Sequence, residues 1–315
     1  MVHGRSVRKI LFFSESSDRS WPTSLQRAMP DFDVITSLDG TAKEDIVAAL
    51  VWKQPPGMLQ GMPNLRLIQV LGAGVDHFLA DPTLPHDVPV ARLVDPGLAA
   101  RMTEYVVLHC LSLHRRLPEM LQNQRKRKWN YIHPTPTDRT SVGILGLGAL
   151  GSRCADALSR LGFQVSGWSR SRKEGLGIAS HIGTKGLENV RRQSDILVLL
   201  LPLTAETENL VDGNFLAAMP DGAALINLGR GKLVVDNDLI QALDAGKLRH
   251  AVLDVFRTEP LPPEHPFWTH PKVTVTPHNS SATNPETAIP QVVTNVQRAL
   301  SGEAPANLVN RAKGY

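Results

Sequence analysis

The sequence predicts an α/β protein built on parallel sheets, and three observations lead there. Short apolar runs alternate with stretches of helical periodicity almost from end to end, the pattern of parallel strands joined by helical crossovers. The chain has 315 residues, long enough for two domains. One expected strand runs directly into a G-x-G-x-x-G turn and then a helical segment, an arrangement that presents a helix N-terminus to an anion. Composition agrees with a globular chain: 42% hydrophobic, 20% charged, 24 Gly and 23 Pro, short of any low-complexity regime.

In chain order, strands are expected near Lys9–Phe13, Asp33–Thr36, Ala49–Trp52, Leu67–Leu71 and Val88–Leu93, with helices near Pro22–Met29 and Lys43–Ala48. From about Ala99 a longer helical pattern carrying Tyr105, Leu108, Leu111 and Leu113 runs toward Gln122. It breaks at Arg125–Lys128, Trp129 and the Pro-containing His133–Asp138, which reads as a domain entrance. Further strands are expected at Val142–Leu145, Gln164–Trp168, Asp195–Leu200, Ala223–Asn227, Ala251–Asp254 and Val273–Thr276, and these six suit a dinucleotide-binding sheet. The last helical stretch, Glu286–Leu300, has no strand after it and is expected to pack back on the first domain.

Several function classes are disfavoured. The net charge of +4 suits an anionic small molecule but is too small to argue for nucleic acid. The one basic cluster, Arg125–Lys128 beside Trp129, reads as a solvated linker. Cys110 and Cys154 lie far apart in apolar surroundings, so neither a disulfide scaffold nor a zinc pattern is expected, and no His pair has metal-ligand spacing. The longest apolar run, Ile196–Leu201, is far shorter than the roughly 18 residues of a membrane helix. Ile10–Phe13, after Arg5, Arg8 and Lys9, is too short for a secretory signal, which leads to the expectation of a cytoplasmic protein.

The sharpest local signal is Ser141–Gly151, SVGILGLGALG. Gly146 permits the tight turn, Gly148 lets the backbone approach a pyrophosphate, and Gly151 allows close packing of helix on strand, with Ala149 and Leu150 in the same helix start. A ribose-binding carboxylate is expected some 20 residues later, but Trp168 is followed by Ser169, Arg170, Ser171 and Arg172. Two hydroxyls and two guanidiniums suit a 2′-phosphate, which a carboxylate would repel, so NADP(H) is expected over NAD(H). Three more segments, Asn227–Gly231, Asp254–Leu261 and Thr276–His278, each follow an expected strand and should emerge at one sheet's carboxyl edge. There Arg230 could fork onto a carboxylate, His278 could exchange a proton with a hydroxyl or carbonyl oxygen, and Glu259 could hold the imidazole and favour its charged form.

With the stretch Leu199–Thr207 (LLLPLTAET) added, these segments resemble the D-isomer-specific 2-hydroxyacid dehydrogenases over nearly the whole chain. Leu50–Trp52, Leu71–Asp76 and Trp168–Lys173 are similar to the glyoxylate/hydroxypyruvate reductase A branch. The resemblance implies a Rossmann-type doubly wound parallel sheet for the cofactor, residues 103–283. It also implies a smaller flavodoxin-like α/β substrate domain, residues 1–102 plus 284–315. By the same resemblance the chain is an NADP-dependent enzyme reducing a small 2-oxoacid, glyoxylate or hydroxypyruvate. Arg230 binds and polarises the oxoacid, His278 is the general acid, and Glu259 orients His278. Gly72, Ala73 and Gly74 offer N–H groups to the substrate carboxylate, and Asp254 meets the nicotinamide carboxamide. Leu201, Pro202 and Thr204 lie beside the nucleosides, and Leu228 and Gly229 complete the cofactor set. Trp52 caps a substrate pocket or is core. A homodimer through the Ala99–Gln122 region is implied, with no metal. Asn279, Ser280 and Ser281 depart from the small apolar residues of many relatives. Two alternatives stay open: another dehydrogenase of the family, or a nucleotide-sensing, corepressor-like binding protein.

Overall fold

The computed structural model describes residues 8–15, 19–133 and 135–315; Arg5, named above, and Pro134 of the His133–Asp138 stretch lie outside the described residues. Its strands in chain order are β1 (Lys9–Ser14), β2 (Asp33–Ile35), β3 (Ile46–Trp52), β4 (Leu67–Val70), β5 (Val90–Ala91), β6 (Ser141–Leu145), β7 (Gln164–Trp168), β8 (Ala179–His181), β9 (Ile196–Leu199), β10 (Ala223–Asn227), β11 (Leu248–Leu253) and β12 (Val273–Val275). The helices are α1 (Ser20–Ala28), α2 (Asp76–Leu79), α3 (Pro96–His114), α4 (Leu117–Arg125), α5 (Ala149–Arg160), α6 (Gly183–Gln193), α7 (Gly213–Ala217), α8 (Asp236–Asp244) and α9 (Pro285–Leu300). They fall into two compact units, Met1–Leu98 with Thr283–Tyr315, and Ala99–Ala282.

In the first unit five parallel strands run in the order β2-β1-β3-β4-β5, the flavodoxin-like order. Alternate residues of one strand serve opposite cores. Ala48 and Leu50 of β3 join one apolar cluster, while Ala49 and Val51 join the other. A strand covered on both faces reads as an unbroken apolar run, and here that corrects the expected helix at Lys43–Ala48. Lys43–Asp45 forms only a 3₁₀ turn, and Ile46 begins the central strand. Helix α9 belongs to this unit. Asn284 caps it by accepting from Glu286 N at 3.1 Å, and its stripe of Ala288, Ile289, Val292 and Val296 closes the cluster around Ile10 and Leu67.

The second unit holds seven parallel strands in the order β12-β11-β10-β9-β6-β7-β8. Strand order reverses between β6 and β9, so the loops leaving their carboxyl ends diverge there and open a crevice. The strand β8 escapes the sequence pattern because it is a three-residue edge strand with no buried residue. The long helical pattern expected from Ala99 to Gln122 is two helices. Arg116 breaks it in the left-handed region at φ +55°, and Pro118 stands in the first turn of α4. Among the described residues no helix is long and apolar enough to cross a membrane, and no group of three or more potential ligands could hold a metal ion.

Candidate active site

The glycine turn sits where β6 passes into α5. Leu145 of β6 pairs with Trp168 on one side and Leu199 on the other, so the loops after β7 and β9 flank the turn. Gly146 lies at φ +111°, and a Cβ there would stand 2.5 Å from the Leu200 carbonyl oxygen. A Cβ on Gly151 would fall 1.9 Å from the Gly146 carbonyl oxygen, which is the close helix–strand approach the sequence requires. Gly148 differs: a Cβ on it would meet nothing within 4 Å. It is the N-cap of α5, whose first turn carries no acidic residue and no side-chain cap. Open space at an uncapped helix start that carries no negative charge fits a pyrophosphate.

Gly146 N donates to the Trp168 carbonyl at 2.9 Å, which starts the Ser169–Arg172 loop beside the glycine turn. Ser169 Oγ donates to Ser171 O at 2.7 Å, while the side chains of Arg170, Ser171 and Arg172 lie at the surface. Burial lowers the Arg170 pKa and the Glu206 carboxylate opposes that shift. Glu206 therefore lies within electrostatic reach of Arg170, a neighbour that sequence reasoning did not identify. On the other flank, Thr207 Oγ1 donates to Pro202 O at 2.7 Å and accepts from Thr204 N at 2.8 Å, locking the Leu201–Thr204 turn.

The remaining loops are pressed together by glycines. A Cβ on Gly229 would be 2.8 Å from the Leu201 carbonyl oxygen, and one on Gly231 would be 1.9 Å from the Phe256 carbonyl carbon. Leu228 N donates to Leu199 O at 3.2 Å. Arg230 thus leaves β10 against the loop that carries Glu259, and Asn227 Nδ2 donates to its carbonyl at 2.9 Å. Glu259 Oε1 accepts from Phe256 N at 3.0 Å, and Oε2 meets His278 Nδ1 at 2.7 Å. His278 occupies the left-handed region at φ +51°.

Asp254 is completely buried. It accepts from Thr276 Oγ1 at 2.6 Å, Asn279 N at 3.1 Å and Ser280 N at 2.9 Å, bracketing His278 on both sides. Sequence reasoning gave these neighbours no role; the run of polar residues after His278 was the available signal. In the other unit, Gly72, Ala73 and Gly74 follow β4. Gly72 O accepts from Leu93 N at 3.0 Å, and the Trp52 ring lies so close that a Cβ on Gly72 would be 2.1 Å from it. Trp52 also stands edge-on to His77, centroids 4.4 Å apart, and packs against both apolar clusters.

Residues 107–280 match the family described as D-isomer specific 2-hydroxyacid dehydrogenase, NAD binding domain. A glyoxylate/hydroxypyruvate reductase A from Yersinia enterocolitica is 38% identical over 303 residues, covering 94% of this chain and 96% of that protein. A D-isomer specific 2-hydroxyacid dehydrogenase from Xanthobacter autotrophicus, solved with NADPH and MES, superimposes with a TM-score of 0.92 at 42% identity, over 97% of this chain and 99% of that one. An NADPH-dependent glyoxylate/hydroxypyruvate reductase from Sinorhizobium meliloti, solved with NADP and sulfate, gives 0.92 at 33% identity over 98% and 100% of the two chains.

Proposed function

From the premise that the chain belongs to the D-isomer-specific 2-hydroxyacid dehydrogenase family, we propose that it reduces a small 2-oxoacid, glyoxylate or hydroxypyruvate, with NADPH. The observation that carries this reading is the 2.7 Å contact between His278 Nδ1 and Glu259 Oε2 at the carboxyl edge of the seven-stranded sheet. With Nδ1 held by the carboxylate, the ring is oriented and Nε2 is the atom left to carry the proton that is transferred. His278 gives that proton to the carbonyl oxygen at C2, and Arg230 forks onto the oxoacid and steadies the charge developing on that oxygen. NADPH, when bound, supplies the hydride.

The α5 N-terminus, Gly146 to Gly151 with Ala149 and Leu150, would hold the pyrophosphate. Ser169, Arg170, Ser171 and Arg172 would hold the 2′-phosphate. Leu201, Pro202, Thr204, Leu228 and Gly229 would line the nucleosides, and Asp254, buried, would shape the nicotinamide side through Thr276, Asn279 and Ser280, which it holds. In the first unit we assign the N–H groups of Gly72, Ala73 and Gly74 to a carboxylate ligand, with Trp52 against them. The relatives solved with NADPH and NADP support the choice of cofactor.

Initial rates with NADPH and with NADH, each against glyoxylate, hydroxypyruvate and pyruvate, test the reading. Turnover that favours NADPH is expected. Equal use of NADH would overturn the assignment of Arg170 and Arg172. Absence of turnover with every pair would overturn the substrate class.

A further inference from the structure

Resting on His278 as the proton donor, we infer that Tyr105 and Asn279 form a positioning pair: the Tyr105 hydroxyl, bonded to Asn279 Oδ1, sets the turn that aims the imidazole. The turn needs holding. A residue with a Cβ at φ +51° sits in a sparsely populated region and persists only when its surroundings over-determine it. Asp254 supplies one hold through Thr276 Oγ1 and the N–H groups of Asn279 and Ser280. Those bonds fasten the chain on either side of His278.

The second hold comes from α3. Tyr105 Oη donates to Asn279 Oδ1 at 2.9 Å, across 174 positions of sequence. The peptide joining His278 to Asn279 is planar, so fixing Asn279 by its N–H and by its side chain restrains ψ of His278 and with it the direction of the Cα–Cβ bond, from which the imidazole reaches Glu259 Oε2. The platform under this contact is firm. The Tyr105 ring stands edge-on to His109, centroids 4.6 Å apart and 67° between planes, and His109 is itself buried. Burial keeps the Tyr105 phenol above its ordinary pKa, so it stays a donor across the working pH range, and lowers that of His109, so the ring beneath stays neutral.

The test uses Tyr105→Phe, which keeps the ring on His109, with Asn279→Ala and the double variant. Each single change is expected to lower kcat for reduction on the order of ten-fold with little change in KM, because a misaimed donor costs rate rather than binding. The double variant should be no worse than either single one, as for two partners in one interaction. Wild-type kcat in both single variants, or losses that multiply in the double, would overturn the pair. A second readout needs no turnover. In the cofactor-free protein labelled at histidine Cε1, with the resonance assigned by His278→Gln, Tyr105→Phe is expected to shift or broaden the His278 signal and move its titration. An unchanged signal and titration would overturn the inference. If the wild-type protein turns over no oxoacid, the functional reading fails and the imidazole signal alone decides the pair.

Discussion

Gly148 and Gly151 stand three residues apart in one turn and are needed for different reasons. Gly151 has no room: an added methyl would lie 1.9 Å from the Gly146 carbonyl oxygen, and overpacking of this kind costs about 1–3 kcal/mol. Gly148 has room, and its φ of −76° suits any residue. The same substitution should therefore separate fold from ligand. Gly151→Ala is expected to lower Tm clearly. Gly148→Ala should leave Tm nearly unchanged and raise Kd for NADPH about ten-fold, because the methyl stands in the open space a phosphate would use. Thermal melts and fluorescence titration with NADPH measure both. Unaltered NADPH affinity in Gly148→Ala would mean that the pyrophosphate does not approach there.

At the scale of elements, the loop after β7 and the strand β11 each carry a charge argument. Replacing Arg170 and Arg172 together by Ala removes the two guanidiniums assigned to a 2′-phosphate. The ratio of kcat/KM for NADPH over NADH should fall at least ten-fold, chiefly through KM for NADPH; a ratio that does not move would place 2′-phosphate recognition elsewhere. His250 on β11 is buried and touches Thr274 Oγ1 at 2.9 Å. Burial first, then the Arg249 charge, pulls its pKa down to about 4. Between that value and about 6.5 the unfolded chain holds a proton that the folded one does not. Stability is therefore complete above the unfolded pKa and is lost as pH falls through this window, by up to about 3 kcal/mol. Tm measured from pH 7 to 4.5 should drop less steeply in His250→Gln than in the wild type, with His109 and His114, also lowered by burial, keeping part of the slope. Parallel curves would show that folding does not lower the His250 pKa. Strands β7 and β10 begin and end where the sequence places them, because apolar runs bounded by turn residues mark them. That the segments of Arg230, Glu259 and His278 leave one sheet edge was legible for a related reason, since each follows a strand. The Lys43–Ala48 error came from a strand buried on both faces, which has no alternation to betray it. The Tyr105–Asn279 contact was illegible because nothing local in either segment refers to the other.

At the scale of the whole molecule, the question is what covers α3 and α4. Leu117, Met120 and Leu121 recur at helical spacing on α4, all exposed, and Leu108 of α3 is 56% exposed. Exposed large apolar side chains at helical spacing on α4, with Leu108 exposed on α3, are the kind of surface that association covers. Homo-oligomers most often close by a two-fold axis, which sets one patch against its copy and leaves no apolar edge to recruit further chains. A homodimer through this face is therefore expected, with a solution mass about twice the 34.4 kDa of one chain. Size-exclusion chromatography with light scattering at micromolar concentration measures it. Leu108→Glu combined with Leu121→Glu would bury four like charges across the two-fold contact, a large penalty, and should give a monomer whose NADPH binding persists, since neither residue lies in the glycine turn or the arginine loop. A monomer mass for the wild type, or a dimer unaffected by the two glutamates, would place the association surface elsewhere or show that the patch has no partner of its own kind.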